Sequence, residues 1–111
     1  MDNCIFCKII ANQIPAKRIF ESETVICIED INPKAPIHYL IIPKKHYVNV
    51  STLSHSETTI PFDMFCAAQE VSKINQNHSD YRLIINNGIN AGQSVFHLHM
   101  HFLSGTMLSD F

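Results

Sequence analysis

Residues 97–103 read His97-Leu98-His99-Met100-His101-Phe102-Leu103, a strict alternation of histidine with apolar residues. A period of two predicts a strand, because successive side chains of an extended chain point to opposite faces. Leu98, Met100 and Phe102 then face a core. His97, His99 and His101 line the other face at intervals of about 6.6 Å, two residues at a rise of about 3.3 Å each. Polar strand faces ordinarily mix Lys, Glu, Thr and Ser, so three imidazoles in a row point to chemistry rather than solvation. Three readings stay open on these residues. All three could hold one catalytic metal. One could be a nucleophile or general base oriented by the others. Or the row could divide its labour between a structural metal and catalysis. Gly92-Gln93-Ser94 leads into the strand. Glycine there lets backbone N–H groups approach an anion, and the Ser94 hydroxyl is a further donor, which suggests a phosphate site.

Outward from this strand, Cys4 to Asn12 reads as a short helix with Ile5, Phe6, Ile9 and Ile10 as its apolar stripe, ended by Pro15. Lys17 to Phe20 and Thr24 to Ile28 read as a hairpin, and His38 to Ile42 as a third strand stopped by Pro43. Between them lies the turn-rich loop Asp30-Ile31-Asn32-Pro33-Lys34-Ala35-Pro36. Ser56 to Asn75 is the main helix, with Met64, Ala67, Ala68, Val71 and Ile74 at helical spacing. Pro61 fits only its first turn. Tyr81 to Asn86 is a fourth strand, and His97 to Leu103 the fifth. Antiparallel strands with two helices make an α+β fold.

The 111 residues predict one domain, 1–111. With 46% hydrophobic and 16% charged residues, the chain reads as globular rather than disordered. A net charge of -2 gives no broad basic surface for nucleic acid. No apolar run approaches the roughly 20 residues of a membrane span. Met1-Asp2-Asn3-Cys4 carries no basic leader, so a cytoplasmic location is expected. In a reducing compartment, Cys4-Ile5-Phe6-Cys7 reads as half a metal site or a redox pair. His38, His46 and one end of the histidine row are candidates for the missing ligands. Cys27 and Cys66 lie among apolar residues and read as packing.

The motif at 97–103 matches the histidine triad pattern at every position. Asn86, Gly92-Gln93-Ser94-Val95-Phe96, Ile14-Pro15-Ala16-Lys17, the 30–36 loop and Ile42-Pro43-Lys44-Lys45-His46 resemble the nucleotide-binding branch of that family. The resemblance runs from Ile5 to about Gly105. It implies a five-stranded antiparallel sheet with two helices, paired in a homodimer into a ten-stranded sheet. It also implies hydrolysis of purine nucleoside phosphoramidates or related adenylates at the phosphorus–nitrogen bond, with no organic cofactor. By position, His99 is the nucleophile, His101 and Ser94 lie near the phosphate, Asn86 helps hold phosphate and leaving group, and His38 supports the cluster. Gln93 and Val95 belong to the phosphate loop, and Asp30 falls where ribose hydroxyls bind. Ile5, Phe6, Ile9, Ile28 and Ile31 fall around the base pocket. Zinc-binding members with such a cysteine pair imply a structural zinc on Cys4, Cys7, His46 and His97. Asn87 and the tail from Thr106 to Phe111, which lacks a tryptophan, depart from the pattern. The resemblance therefore carries no leaving-group preference. Rival readings are a nucleotide-binding interaction protein with little turnover, a zinc hydrolase built on the row, and a dinucleoside polyphosphate hydrolase.

Overall fold

The structure, a computed structural model, describes residues 3–74 and 79–110. Five antiparallel strands form one sheet: β1 (Arg18–Glu21), β2 (Val25–Glu29), β3 (Ile37–Pro43), β4 (Tyr81–Ile84) and β5 (Met100–Ser104), in the spatial order β1-β2-β3-β5-β4. Two α-helices accompany them, α1 (Ile5–Ile10) and α2 (Thr59–Ile74). No helix among the described residues is long and apolar enough to cross a membrane.

Strand alternation splits the core in two. Val25, Cys27, Tyr39, Ile41, Met100 and Phe102 pack with Met64, Ala67, Ala68 and Val71 of α2. Ile26, Ile28, Leu40 and Ile42 point the other way, against Phe6 and Ile9 of α1. Both faces of the central strands are covered, so β2 and β3 are almost continuously apolar rather than alternating with polar residues.

Several boundaries differ from the sequence reading, each for a local reason. α1 ends at Ile10, before Pro15: Asn12 turns left-handed at φ 62°, and the Arg18 guanidinium donates to the Ile9 and Ile10 carbonyls and to Asn12 Oδ1. α2 begins at Thr59 rather than Ser56, because the Ser54 carbonyl accepts from the Glu57 N–H in a preceding turn. Pro61 sits in its first turn. Ile74 is half exposed rather than part of the core, and Asn75 lies outside the described residues. The hairpin and β3 shift by a residue or so, and Pro43 closes β3 instead of lying beyond it.

The largest difference concerns β5. Its ladder begins at Met100, opposite Ile41, so His97 and His99 precede it. Pro43 has no N–H to continue the pairing. Its carbonyl accepts from the His97 ring instead, and the Leu98 N–H turns to the Tyr47 carbonyl. The alternation survives: Leu98, Met100 and Phe102 are buried in the α2-side core.

Candidate functional site

The short α1 brings its first turn against the stretch before β5. Cys4 caps it, with the Sγ accepting from the Cys7 N–H. Four ligand atoms converge there within 4.8 Å of one another, from Cys4, Cys7, His46 and His97. Cys4 Sγ and His97 Nδ1 are 3.3 Å apart, Cys7 Sγ and His46 Nδ1 3.3 Å, Cys7 Sγ and His97 Nδ1 3.6 Å, and the two Nδ1 atoms 3.1 Å. Tetrahedral zinc at its usual bond lengths sets ligand–ligand edges of roughly 3.3–3.8 Å. The protons also suit a metal. His97 Nε2 donates to the Pro43 carbonyl at 2.8 Å, so its Nδ1 carries a lone pair. Burial holds the His97 pKa down to about 4, and burial and the neighbouring Cys4 raise the Cys7 thiol. Two cysteines and two histidines with one imidazole locked in the ligating tautomer fit a metal such as zinc.

A second group, Asp30, His38 and His101, converges equally closely but fails the same proton test. The Lys34 backbone N–H donates to His38 Nδ1 at 3.0 Å, so the proton of neutral His38 sits on Nε2. That Nε2 lies 2.9 Å from His101 Nδ1 and 3.3 Å from Asp30 Oδ2. Ligation through it would break the Lys34 bond. The group is a hydrogen-bonded relay: His38 donates, His101 Nδ1 accepts, and His101 keeps its own proton on Nε2. Burial and the neighbouring His99 and His38 hold His101 down to about 4, so it is neutral near pH 7.

His99 has the opposite tautomer. Its Nδ1 donates to the carbonyl of His97 at 2.8 Å, leaving Nε2 unprotonated. Burial lowers its pKa, against the pull of the His97 carbonyl and the Asp30 charge. Phe6 packs edge-on against both His97 and His99, with ring centroids 5.8 and 5.1 Å away. The three histidines of the row thus separate: His97 joins the cysteines, while His99 and His101 open with His38, Asp30, Asn86, Gly92 and Ser94 onto a cavity of about 440 Å³.

The loop before β5 is held by Gln93. Its Oε1 accepts from the Gly88 N–H, its Nε2 donates to the Val48 and Val95 carbonyls, and its own N–H donates to the Gly88 carbonyl. Gln93 therefore shapes the loop with all of these groups engaged, and the donors expected near an anion shift to Ser94 and Val95. Gly92 sits at φ 94°, a conformation that favours glycine, and Asn86 Nδ2 donates to the neighbouring Ala91 carbonyl. Of the apolar residues expected at a base, Phe6, Ile9 and Ile28 are packed in the core, while Ile5 is 43% and Ile31 89% exposed. Asp30 Oδ1 accepts from the Asn32 N–H, and its other oxygen faces His38. The Lys34 N–H and the carbonyls of Pro43 and His97 decide the tautomers. They are main-chain groups, and no side-chain signal in the sequence marks them.

Known proteins share this arrangement. A family model described as "Scavenger mRNA decapping enzyme C-term binding" matches residues 3–111. Protein HitA of Neisseria gonorrhoeae is 40% identical over 103 residues, covering 93% of this chain and 96% of its own. A HIT family hydrolase from Clostridium thermocellum superposes with a TM-score of 0.95 at 46% identity, over 100% of this chain and 97% of that one. A histidine triad protein from Clostridium difficile gives 0.94 at 37% identity, over 100% and 96%. With the triad sequence, the fold and these relatives in agreement, the chain belongs to the histidine triad (HIT) family.

Proposed function

We propose that this protein is a nucleotide-binding hydrolase that cleaves purine nucleoside phosphoramidates or related adenylates through a nucleotidyl-histidine on His99. The observation that carries the reading is the His99 Nδ1 to His97 carbonyl bond, which aims an unprotonated Nε2 at the cavity shared with Ser94 and His101. The hydrolase title of the Clostridium thermocellum relative supports it. His99 Nε2 forms a bond to phosphorus as the phosphorus–nitrogen bond breaks, and the amine leaves with a proton. The His101 Nε2–H and the Ser94 hydroxyl line the same cavity as donors for that proton, and the water that attacks the phosphoryl-imidazolium in the second step replaces it. The Ser94 and Val95 N–H groups and His101 balance the phosphoryl charge. Asn86 steadies the loop beside phosphate and leaving group. Asp30 takes the ribose hydroxyls, leaving His38 to do so, and Ile5 and Ile31 supply the apolar surface for the base. Cys4, Cys7, His46 and His97 hold a structural zinc, which ties α1 to the segment before β5. The working unit is a cytoplasmic homodimer.

Single-turnover mixing with an adenosine phosphoramidate tests this. The wild-type chain should form a covalent nucleotidyl adduct, and His99→Ala should form none while still binding AMP. Binding without an adduct in the wild type would favour the interaction-protein reading, and near-normal turnover in His99→Ala would refute the mechanism.

A further inference from the structure

A second cavity, of about 640 Å³, meets the phosphate loop. Asn3, Cys4, Ile5, His46, Val95 and Phe96 line it together with Ser94, which also lines the catalytic cavity. The nucleophile His99 and its partner His101 open only onto the catalytic side. In phosphoryl transfer the entering and departing atoms lie roughly in line, so the leaving group moves away from His99 Nε2. A group departing across Ser94 enters this second space.

The lining gives its chemistry. No Asp, Glu, Lys or Arg contributes to it, and its histidine and cysteine belong to the metal cluster. Phe96 is 44% exposed and Ile5 43%, large apolar side chains presented to the cavity rather than used in the core. The Asn3 amide is neutral. A chain of phosphates would bring several negative charges to a wall with no cation to meet them. An aromatic or alkyl group would instead bury apolar surface against Ile5, Val95 and Phe96.

From this we infer that the cavity beyond Ser94 is the leaving-group subsite and takes an uncharged aryl or alkyl amine. The inference rests on the phosphoramidate reading above and narrows its substrate class, against acidic amines and against dinucleoside polyphosphates.

The experiment compares kcat/KM for four adenosine compounds: the unsubstituted phosphoramidate, the arylethylamine phosphoramidate, the aspartate phosphoramidate and diadenosine tetraphosphate. The wild type should prefer the arylethyl compound over the aspartate one by about ten-fold or more. In Phe96→Ala the ratio of arylethyl to unsubstituted should fall roughly ten-fold, the scale of losing an apolar contact in a specificity pocket. Asn3→Asp, at an exposed position, should depress the aspartate compound further relative to the unsubstituted one. Equal losses on all compounds in Phe96→Ala, or a wild type that handles diadenosine tetraphosphate as well as the arylethyl compound, would overturn the subsite. Turnover of the unsubstituted compound without these preferences removes the subsite alone. No turnover of any phosphoramidate removes the hydrolase reading and the subsite with it.

Discussion

His38 Nε2 lies 2.9 Å from His101 Nδ1, across the paired strands β3 and β5, and the Lys34 N–H on the far side of the His38 ring fixes which of the two nitrogens holds the proton. The backbone of the 30–36 loop thereby sets the face that His101 turns to a phosphoryl group. A neutral imidazole that accepts at one nitrogen must donate at the other.

That geometry makes His38 a positioning residue. His38→Ala should lower kcat by about ten-fold to a hundred-fold, below the full loss expected for an acid–base group itself. AMP affinity should change less than about three-fold. His38→Gln, whose amide N–H can still donate to His101 Nδ1, should recover part of the loss. Nitrogen-15 shifts of His101 would read the tautomer directly, and an unchanged Nε2–H form in His38→Ala would refute the assignment.

Metal analysis of protein purified without chelators should find about one zinc per chain, the stoichiometry of a four-ligand site. Cys4→Ser and His46→Ala should each lose it and lower the Tm by at least about 5 °C, since metal affinity is folding free energy. A wild-type chain that neither carries nor takes up zinc would leave Cys4 and Cys7 as ordinary residues of the α1 turn.

Acid should destabilise the fold through His101. Its pKa is held near 4 in the native state, below the ordinary 6.5, so the unfolded chain binds more protons between those values. Stability from this group is complete above about pH 6.5 and is lost as pH falls toward 4. Denaturant titrations at pH 7 and pH 5 should show the drop, and His101→Gln should make it shallower. An equal drop in both proteins would place the acid sensitivity elsewhere.

The outward faces of α2 and β4 favour a second copy. Phe62 is 67% and Phe65 54% exposed on α2, and β4 ends the sheet with one ladder partner, β5. An open strand edge and exposed aromatic residues invite pairing, and a two-fold dimer uses the same patch from each chain. Light scattering at micromolar concentration should give twice the chain mass, with Phe62→Lys combined with Phe65→Lys giving the monomer. A monomeric wild type would refute this.

The features legible in the sequence were those written in side-chain period. The alternation at 97–103 placed Leu98, Met100 and Phe102 in the core, and the helical spacing of Met64, Ala67, Ala68 and Val71 placed the buried face of α2. Ile74 broke the second pattern because it lies at the helix end, beyond the reach of the sheet. Cys4 and Cys7 marked half a metal site by spacing. His46 and His97 joined them by resemblance, and the fold brings all four ligand atoms together. The roles within the histidine row were not legible. They depend on carbonyls and N–H groups contributed by Pro43, His97 and Lys34, and main-chain atoms are identical in every residue type. Gln93 was expected at the phosphate for the same reason: its spacing located the loop, but its hydrogen bonds point back into it.

His97 touches two centres with different parts of itself, its ring to the cysteines and its carbonyl to the nucleophile. Replacing the side chain severs only the first link. The oxygen that orders the His99 proton survives any substitution at 97, so ordinary mutagenesis cannot delete it. Position 97 can drift in relatives that dispense with the metal, while the nucleophile two residues on keeps its instruction. Only a change in the backbone itself, such as an ester replacing the amide between residues 97 and 98, would weaken that acceptor and reach the second function.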